Sequence, residues 1–385
     1  MSTPVLRVTL DVTAVPARPA GAGRYTIELA GALRRRADVE LVTVARRGDG
    51  DRWSGAADRR PETAVALAPD RRPARLAWEQ LRLPRVLEHL GPAVHHSPHY
   101  TMPERARLPV VVTVHDCTFL DHPEWHERSK ALLFARAIRV AGRRASSLVC
   151  VSQTTADRLA ELCPTDVPVV VAPHGVDHAR FTPEEPGRGA DDEALAGLAV
   201  ADRPLVVFLG TLEPRKGVAG LVRAFDSVAG GHPDALLVIA GQRGWGTDEV
   251  ARALAVARHR DRVLVTGYLA EPAVPALLRR AAVVAYPALE EGYGLPAIEA
   301  LACGAPLVTT RGTAMAEAAE GSAVLVEPGN DVELAEAIDG LLAGDRATPA
   351  RRADGLAAAA RRTWDASALR HLEAYRLALD AHVGR

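Results

Sequence analysis

Lysine is almost missing from this chain. Of its 47 basic residues only Lys130 and Lys216 are lysine; the rest are arginine, which together with abundant alanine marks a GC-rich coding sequence. An excess of either charge is missing too. The net charge of −1 removes any global electrostatic case for nucleic acid or for an anionic membrane. The four cysteines, Cys117, Cys150, Cys163 and Cys303, form no C-x-x-C pair, and each sits in or beside an apolar run. That argues against a disulfide framework and for buried free thiols in a reducing compartment. No apolar run approaches the roughly 20 residues that span a bilayer, and the strand pattern at the start is preceded by no leader-like segment. The expectation is a soluble, cytoplasmic protein that binds no nucleic acid, with its oligomeric state left open.

What is present is alternation. β-branched runs at 5–12, 39–45, 110–116, 147–152 and 169–175 are separated by longer amphipathic patterns such as "GRYTIELAGALRRR". The pattern stops in "TPEEPGRGADDEALAGLAVADRP" and restarts with runs at 205–210, 235–241, 263–268, 283–288 and 306–310. Near-continuous apolar strands alternating with helices predict α/β architecture with parallel sheets covered on both faces. The polar break predicts two domains, 1–182 and 205–365, joined by a linker at 183–204. A final amphipathic helix, 366–385, would pack back towards the first domain. In such an architecture ligands bind beyond the C-terminal ends of the strands, in a cleft between the domains.

Four clusters carry chemistry. "EEGYGLPAIEALACGAP" (290–306) follows the strand "VVAYPA" and places Glu291 in a loop and Glu299 one turn into a helix that Pro296 opens and Gly304 closes. Carboxylates can take two adjacent hydroxyls, so the pair suits a polyol, and the helix start favours an anion; Glu299 would equally serve to solvate a surface helix. "FLGTLEPRKG" (208–217) puts Arg215 and Lys216 in a turn where they would hold a diphosphate. It is no Walker loop, and an arginine alone means little here, but a lysine is scarce enough to be informative. "RPAGAGRYTIELAGAL" sets Gly21 and Gly23 before a helix, allowing close backbone approach to an anion. Thr26 stands where a dinucleotide fingerprint needs its third glycine.

The fourth cluster is histidine-rich. His95, His96 and His99 in "VHHSPHY", and His115, His122 and His126 in "VHDCTFLDHPEWH", lack the H-E-x-x-H spacing of a metal site. His115 and Asp116 end a buried strand, a place to touch substrate hydroxyls. Asp49 and Asp51 in "ARRGDGDRW" read as a solvated turn rather than a metal-binding pair.

In this order and spacing the segments resemble the retaining glycosyltransferases of family 4, with the GT-B fold, over nearly the whole chain. "YPALEEGYGLPAIEALACGAPLVTT" follows that family's E-x7-E signature, and "GTLEPRKG", "GAGRYTIELAGAL" and "VVTVHDCTFLDHPEW" resemble its phosphate turn, glycine loop and histidine segment. "WEQLRLP" and "HSPHYTMP" look like hallmarks of its mannosyltransferase-like branch. The resemblance implies two Rossmann-like domains with parallel sheets facing a central cleft. It implies hexosyl transfer, mannosyl slightly preferred, from a GDP- or UDP-sugar to a hydroxyl acceptor, with retention and without metal or other cofactor. His115 and Glu291 would meet the transferred sugar and Glu299 the ribose. Arg215 and Lys216 would neutralise the diphosphate, with Gly23 and the Gly292, Tyr293, Gly294 and Leu295 helix entry supplying N–H donors. One departure is Thr211, where many members carry arginine; Arg215 would do that work. The alternatives are a nucleotide-sugar epimerase, or a nucleotide-sugar-binding relic without catalysis. The acceptor should meet the first domain, at loops 46–75, 100–108 and 118–130. Arg34 to Arg36 with Arg71, Arg72 and Arg75 are either a solvated surface or a contact to an anionic membrane or phospholipid-linked acceptor.

Overall fold

The computed structural model describes residues 5–53, 63–200 and 202–383. The described residues divide into two compact units, one formed by the chain up to Gly175 and again from Trp364, the other by Val176 to Thr363. Among them no helix is long and apolar enough to cross a membrane.

The strands of the first unit are β1 (Leu6–Asp11), β2 (Val39–Arg46), β3 (Thr63–Ala68), β4 (Val94–Ser97), β5 (Val110–Val114), β6 (Ser147–Cys150) and β7 (Val169–Val171). They pair in parallel in the order β3-β2-β1-β4-β5-β6-β7. Val8, Leu10, Val112 and Leu148 are fully buried, each stabilising the fold by about 1.5–3 kcal/mol relative to exposure. Strand order reverses between β1 and β4, and the ends of those two strands form the switch point of the sheet.

The helix Trp364–Val383 closes this unit. Its stripe of Ala368, His371, Leu372, Tyr375 and Ala378 is buried, at the spacing of one helical face. Hydrogen bonds fix it, and their direction follows from one carbonyl. His371 Nδ1 must donate to the Ser367 carbonyl (2.7 Å), so Nε2 of the neutral ring accepts from the Tyr25 hydroxyl (2.7 Å). The Tyr25 oxygen then accepts from Thr113 Oγ1 (2.8 Å), and Thr113 from His96 Nε2 (2.8 Å). His96 Nδ1 is left to accept from Tyr375 (2.9 Å). Every proton has one place, and burial pushes both histidines towards the neutral form that this chain of bonds requires.

The second unit holds β8 (Leu205–Leu209), β9 (Leu236–Ala240), β10 (Val263–Gly267), β11 (Ala281–Tyr286), β12 (Leu307–Thr310) and β13 (Val324–Val326), parallel in the order β10-β9-β8-β11-β12-β13. The boundary falls at Gly175 rather than after 182, and the stretch expected as a linker belongs to this unit. Its helix Ala190–Leu195 packs on the helix Ala273–Arg280, where buried Asp191 takes Arg279 through Nε (2.8 Å). Asp191, in the stretch expected as a linker, is therefore half of a buried ion pair. Ala201 in that stretch, residues 1–4 and 54–62 of the first expected domain, and 384–385 of the last helix lie outside the described residues.

Candidate active site

The site in the second unit is built where β8 and β11 end side by side. After β8 the chain makes a single turn of 3-10 helix, Pro214–Lys216, and enters the helix Val218–Val228 through Gly217. Gly217 has φ +66°, and a Cβ there would lie 2.1 Å from the Pro287 carbonyl oxygen. Only glycine lets this turn approach the end of β11 so closely. Leu289 N–H donates to the Arg215 carbonyl (2.7 Å), tying the two loops together.

Into that junction point four charges. Lys216 Nζ donates to the Glu291 carboxylate and to the Tyr286 hydroxyl (2.9 Å). Arg215 donates to the same Glu291 carboxylate (3.1 Å), to Glu213 through Nε (3.0 Å) and to the Glu290 carbonyl (3.3 Å). Lys216 is buried, and the side chains of Arg215, Glu213 and Glu291 are 12–13% exposed. Two cations and two carboxylates make the cluster neutral, which is what allows it to be buried at all. Burial holds the Tyr286 phenol well above its usual range, so it stays protonated beside the ammonium.

The second half of the motif follows directly. Gly292 and Tyr293 are buried, and Gly294, at φ +83°, opens the helix Leu295–Ala302 without a side-chain cap. Pro296 lies in its first turn. Glu299 is half-buried on this helix; burial chiefly raises the proton affinity of both Tyr286 and Cys303, and the Glu299 charge adds to it. Glu291 and Glu299 thus belong to different elements but act on one neighbourhood. Sequence reasoning had no role for Glu213 or Tyr286. Glu213 sits inside the quoted "TLEPRKG", where an acid beside two cations is the signal; nothing distinguishes Tyr286 from a core tyrosine. A cavity of about 200 Å³ on the Gly217 side is lined by Glu213, Glu249, Glu327 and Asp331 against the single cation Arg223, an unsuitable setting for a diphosphate.

Gly23 and His115 belong to the first unit. Gly23 N–H donates to the Ala20 carbonyl (3.0 Å), and a Cβ at Gly23 would meet Pro16 and Pro19 at 3.1 and 3.3 Å. The close approach expected there towards an anion is made to two prolines, and its N–H already has an acceptor. His115 Nε2 donates to the Pro98 carbonyl (2.8 Å), which makes Nδ1 the acceptor of the ring. Burial lowers its proton affinity, so it is a neutral acceptor near pH 7. His95 and His96 lie in β4, bonded to Thr9 (2.9 Å) and to Thr113 and Tyr375. His126 bonds Thr118 (2.9 Å) and His122 pairs with Glu124 (3.1 Å). Asp49 pairs with Arg46. Burial pushes the Cys150 and Cys303 thiols up to about 12, and all four cysteines are free.

Residues 19–180 match the family model described as Glycosyltransferase Family 4, and residues 192–361 the one described as Glycosyl transferases group 1. The chain is 26% identical over 310 residues to the O-antigen chain mannosyltransferase B of Escherichia coli, covering 79% of this chain and 78% of that one. It is 33% identical over 221 residues to the GDP-mannose-dependent alpha-(1-6)-phosphatidylinositol monomannoside mannosyltransferase of Mycolicibacterium smegmatis, covering 54% of this chain and about half (56%) of that relative. Among solved structures, Anabaena Alr3699/HepE in complex with UDP-glucose superposes with a TM-score of 0.75 at 20% identity, covering 96% of this chain and 99% of that one. With two parallel-sheet Rossmann-like units and two family models spanning most of its length, the chain belongs to glycosyltransferase family 4 and is a glycosyltransferase of the GT-B fold.

Proposed function

We propose that the protein transfers a hexosyl group, with mannosyl slightly preferred, from a nucleoside-diphosphate sugar to a hydroxyl acceptor, retaining anomeric configuration and needing no metal. The observation that carries this reading is the buried cluster of Lys216, Arg215 and Glu291 beside an uncapped helix start. The mannosyl preference draws on two relatives named as mannosyltransferases, and the nucleotide sugar on the UDP-glucose bound by a neighbour of the same fold.

Cleaving a sugar–phosphate bond leaves negative charge on the diphosphate and positive character on the anomeric carbon. Lys216, Arg215 and the Leu295–Ala302 helix start stabilise that departing charge from fixed positions, without solvent reorganisation. A diphosphate arriving here displaces the Glu291 carboxylate from the two cations. Glu291 is then released to accept the hydrogens of sugar hydroxyls, while Glu299 takes the ribose. His115, neutral and with Nδ1 as acceptor, takes a further sugar hydroxyl. Retention follows if the leaving phosphate itself removes the acceptor's proton on the face it departs from, so that no protein nucleophile is required.

A binding screen of GDP, UDP, dTDP and ADP, each with its sugar conjugates, tests the donor half; a ligand that binds the folded state raises its apparent stability. Product anomers resolved by NMR test retention, and activity in excess chelator tests metal independence. An inverted product or loss of turnover in chelator would overturn those parts.

A further inference from the structure

The cluster of Lys216 leaves one large cavity unexplained. It measures about 360 Å³, within the roughly 300–1,000 Å³ of small-molecule sites, and it lies in the first unit at the ends of β1 and β4, where strand order reverses. The two segments quoted above for branch resemblance, "WEQLRLP" and "HSPHYTMP", meet on its wall. Thr101 Oγ1 donates to Glu79 (2.8 Å), and Gln80 donates to the Met102 carbonyl (2.8 Å) and to Glu79 (3.0 Å).

The lining is unusually polar for its burial. Asp11, at the end of β1, is 8% exposed and takes the Thr13 N–H (2.8 Å). Glu79 is 7% exposed, and burial together with the Asp11 charge pushes its carboxyl up to about 8. Ser97, 3% exposed, has a buried Oγ without a hydrogen-bond partner. A buried hydroxyl with nothing to bond is costly unless a ligand completes it. Arg75 faces the same space, half-buried, with the field of Asp11 on it but no hydrogen bond or ion pair from its guanidinium to any described residue. Arg72 and Lys130 also line the cavity. By contrast Arg34, Arg35 and Arg36 are engaged by the Trp53 carbonyl, Asp365 and Asp38. The arginines grouped together in the sequence therefore do different jobs.

We propose that this cavity binds the acceptor, and that the acceptor is an anionic polyol: Arg75, assisted by Arg72, holds its phosphate or carboxylate, while Asp11 and Ser97 bind its hydroxyls. This rests on the glycosyl-transfer reading and adds the acceptor's chemical class and its seat. A guanidinium without a partner calls for an anion with paired oxygens. A carboxylate and an unpartnered hydroxyl beside it call for neutral hydroxyls rather than a second anion. The same chemistry occurs on a free sugar phosphate and on a phosphorylated lipid headgroup.

The test uses the full chain and calorimetric binding, in saturating UDP or GDP, with four probes. These are mannose, mannose 6-phosphate, glucuronate, and phosphatidylcholine vesicles carrying phosphatidylinositol. The expected result is binding of at least one anionic probe and not of mannose. Arg75→Met should weaken that binding roughly ten- to a hundredfold, the cost of a lost charge-assisted hydrogen bond, and Ser97→Ala should weaken it less. Binding of the vesicles alone identifies the headgroup source; binding of soluble probes identifies the free one. The nucleotide-induced stability shift should stay unchanged in both variants, which shows that they fold and keeps a failure here separate from a failure of the donor reading. Equal binding of mannose, binding of none of the probes, or affinities untouched by both substitutions overturns the proposal.

Discussion

Lys216 and Glu291 form a direct ion pair across 75 residues of sequence, with side chains 8% and 12% exposed, and Arg215 shares the same carboxylate. An acid read from sequence as a sugar-binding group is thus also the internal counter-ion of Lys216 and Arg215, the two cations proposed to hold the diphosphate.

Replacing Glu291 by Gln keeps the shape and removes the charge. The cations then lose the carboxylate that competes with a diphosphate. Nucleoside-diphosphate affinity, read by calorimetry, should hold or rise, while kcat for sugar transfer should fall about a hundredfold or more, the scale of losing one preorganised transition-state contact.

Lys216→Ala should act in the opposite sense. It removes the buried ammonium that bonds Tyr286 and Glu291 and leaves Arg215 as the remaining cation of the pair. Donor affinity should drop by roughly ten- to 150-fold, in line with about 1.5–3 kcal/mol for hydrogen bonds to charged groups. Lys216→Arg, equal in charge but too long for the pocket against Tyr286, should not restore full turnover.

Gly217→Ala should cost stability before it costs chemistry. The residue has φ +66°, and the new methyl would overlap the Pro287 carbonyl. Relief requires the β8 and β11 loops to separate, so denaturant melts should show a loss of roughly 2–4 kcal/mol, with donor binding lost alongside.

Acid should destabilise the first unit steeply. His95, His96, His99, His115, His174 and His371 all have proton affinities lowered chiefly by burial, to about 3 for His95 and His99 and about 4 for His371. A folded-state pKa below the unfolded 6.5 gives stability that is complete above pH 6.5. It is lost as pH falls from there towards the folded values, because the unfolded chain then binds more protons. Glu79 and Asp11, whose pKa values are raised, work the other way but are two against six. Each net proton contributes roughly 1.4 kcal/mol per pH unit. Urea melts between pH 7.5 and 4.5 should therefore lose stability with falling pH, and His371→Phe should reduce both the slope and the stability at neutral pH.

The sheets were legible in sequence where strands are nearly unbroken apolar runs, as in β5, β8 and β11. Sequence pattern did not mark β3, β4 or β13. β4 reads as polar because the hydrogen bonds of its two histidines go to Thr9, Thr113 and Tyr375, partners distant in sequence. β13 has three residues, and β3 is an alanine-rich edge strand. The 290–306 motif and the Arg215–Lys216 turn were legible because glycine, proline and scarce lysine mark them. Glu213, Tyr286 and the Asp11, Arg75 and Glu79 cavity were not, since each acquires meaning only through neighbours that the fold supplies. The same holds for Asp191, which composition assigns to a linker and Arg279 claims for the core.

The most direct measurement is isothermal calorimetry of the full chain and of Lys216→Ala with GDP, UDP, dTDP and ADP and their sugar conjugates. Selective binding of one base's diphosphate and sugar conjugate to the natural chain is expected, weakened at least tenfold by the substitution. Binding of no nucleotide at millimolar concentration, or equal affinity in both proteins, would contradict it.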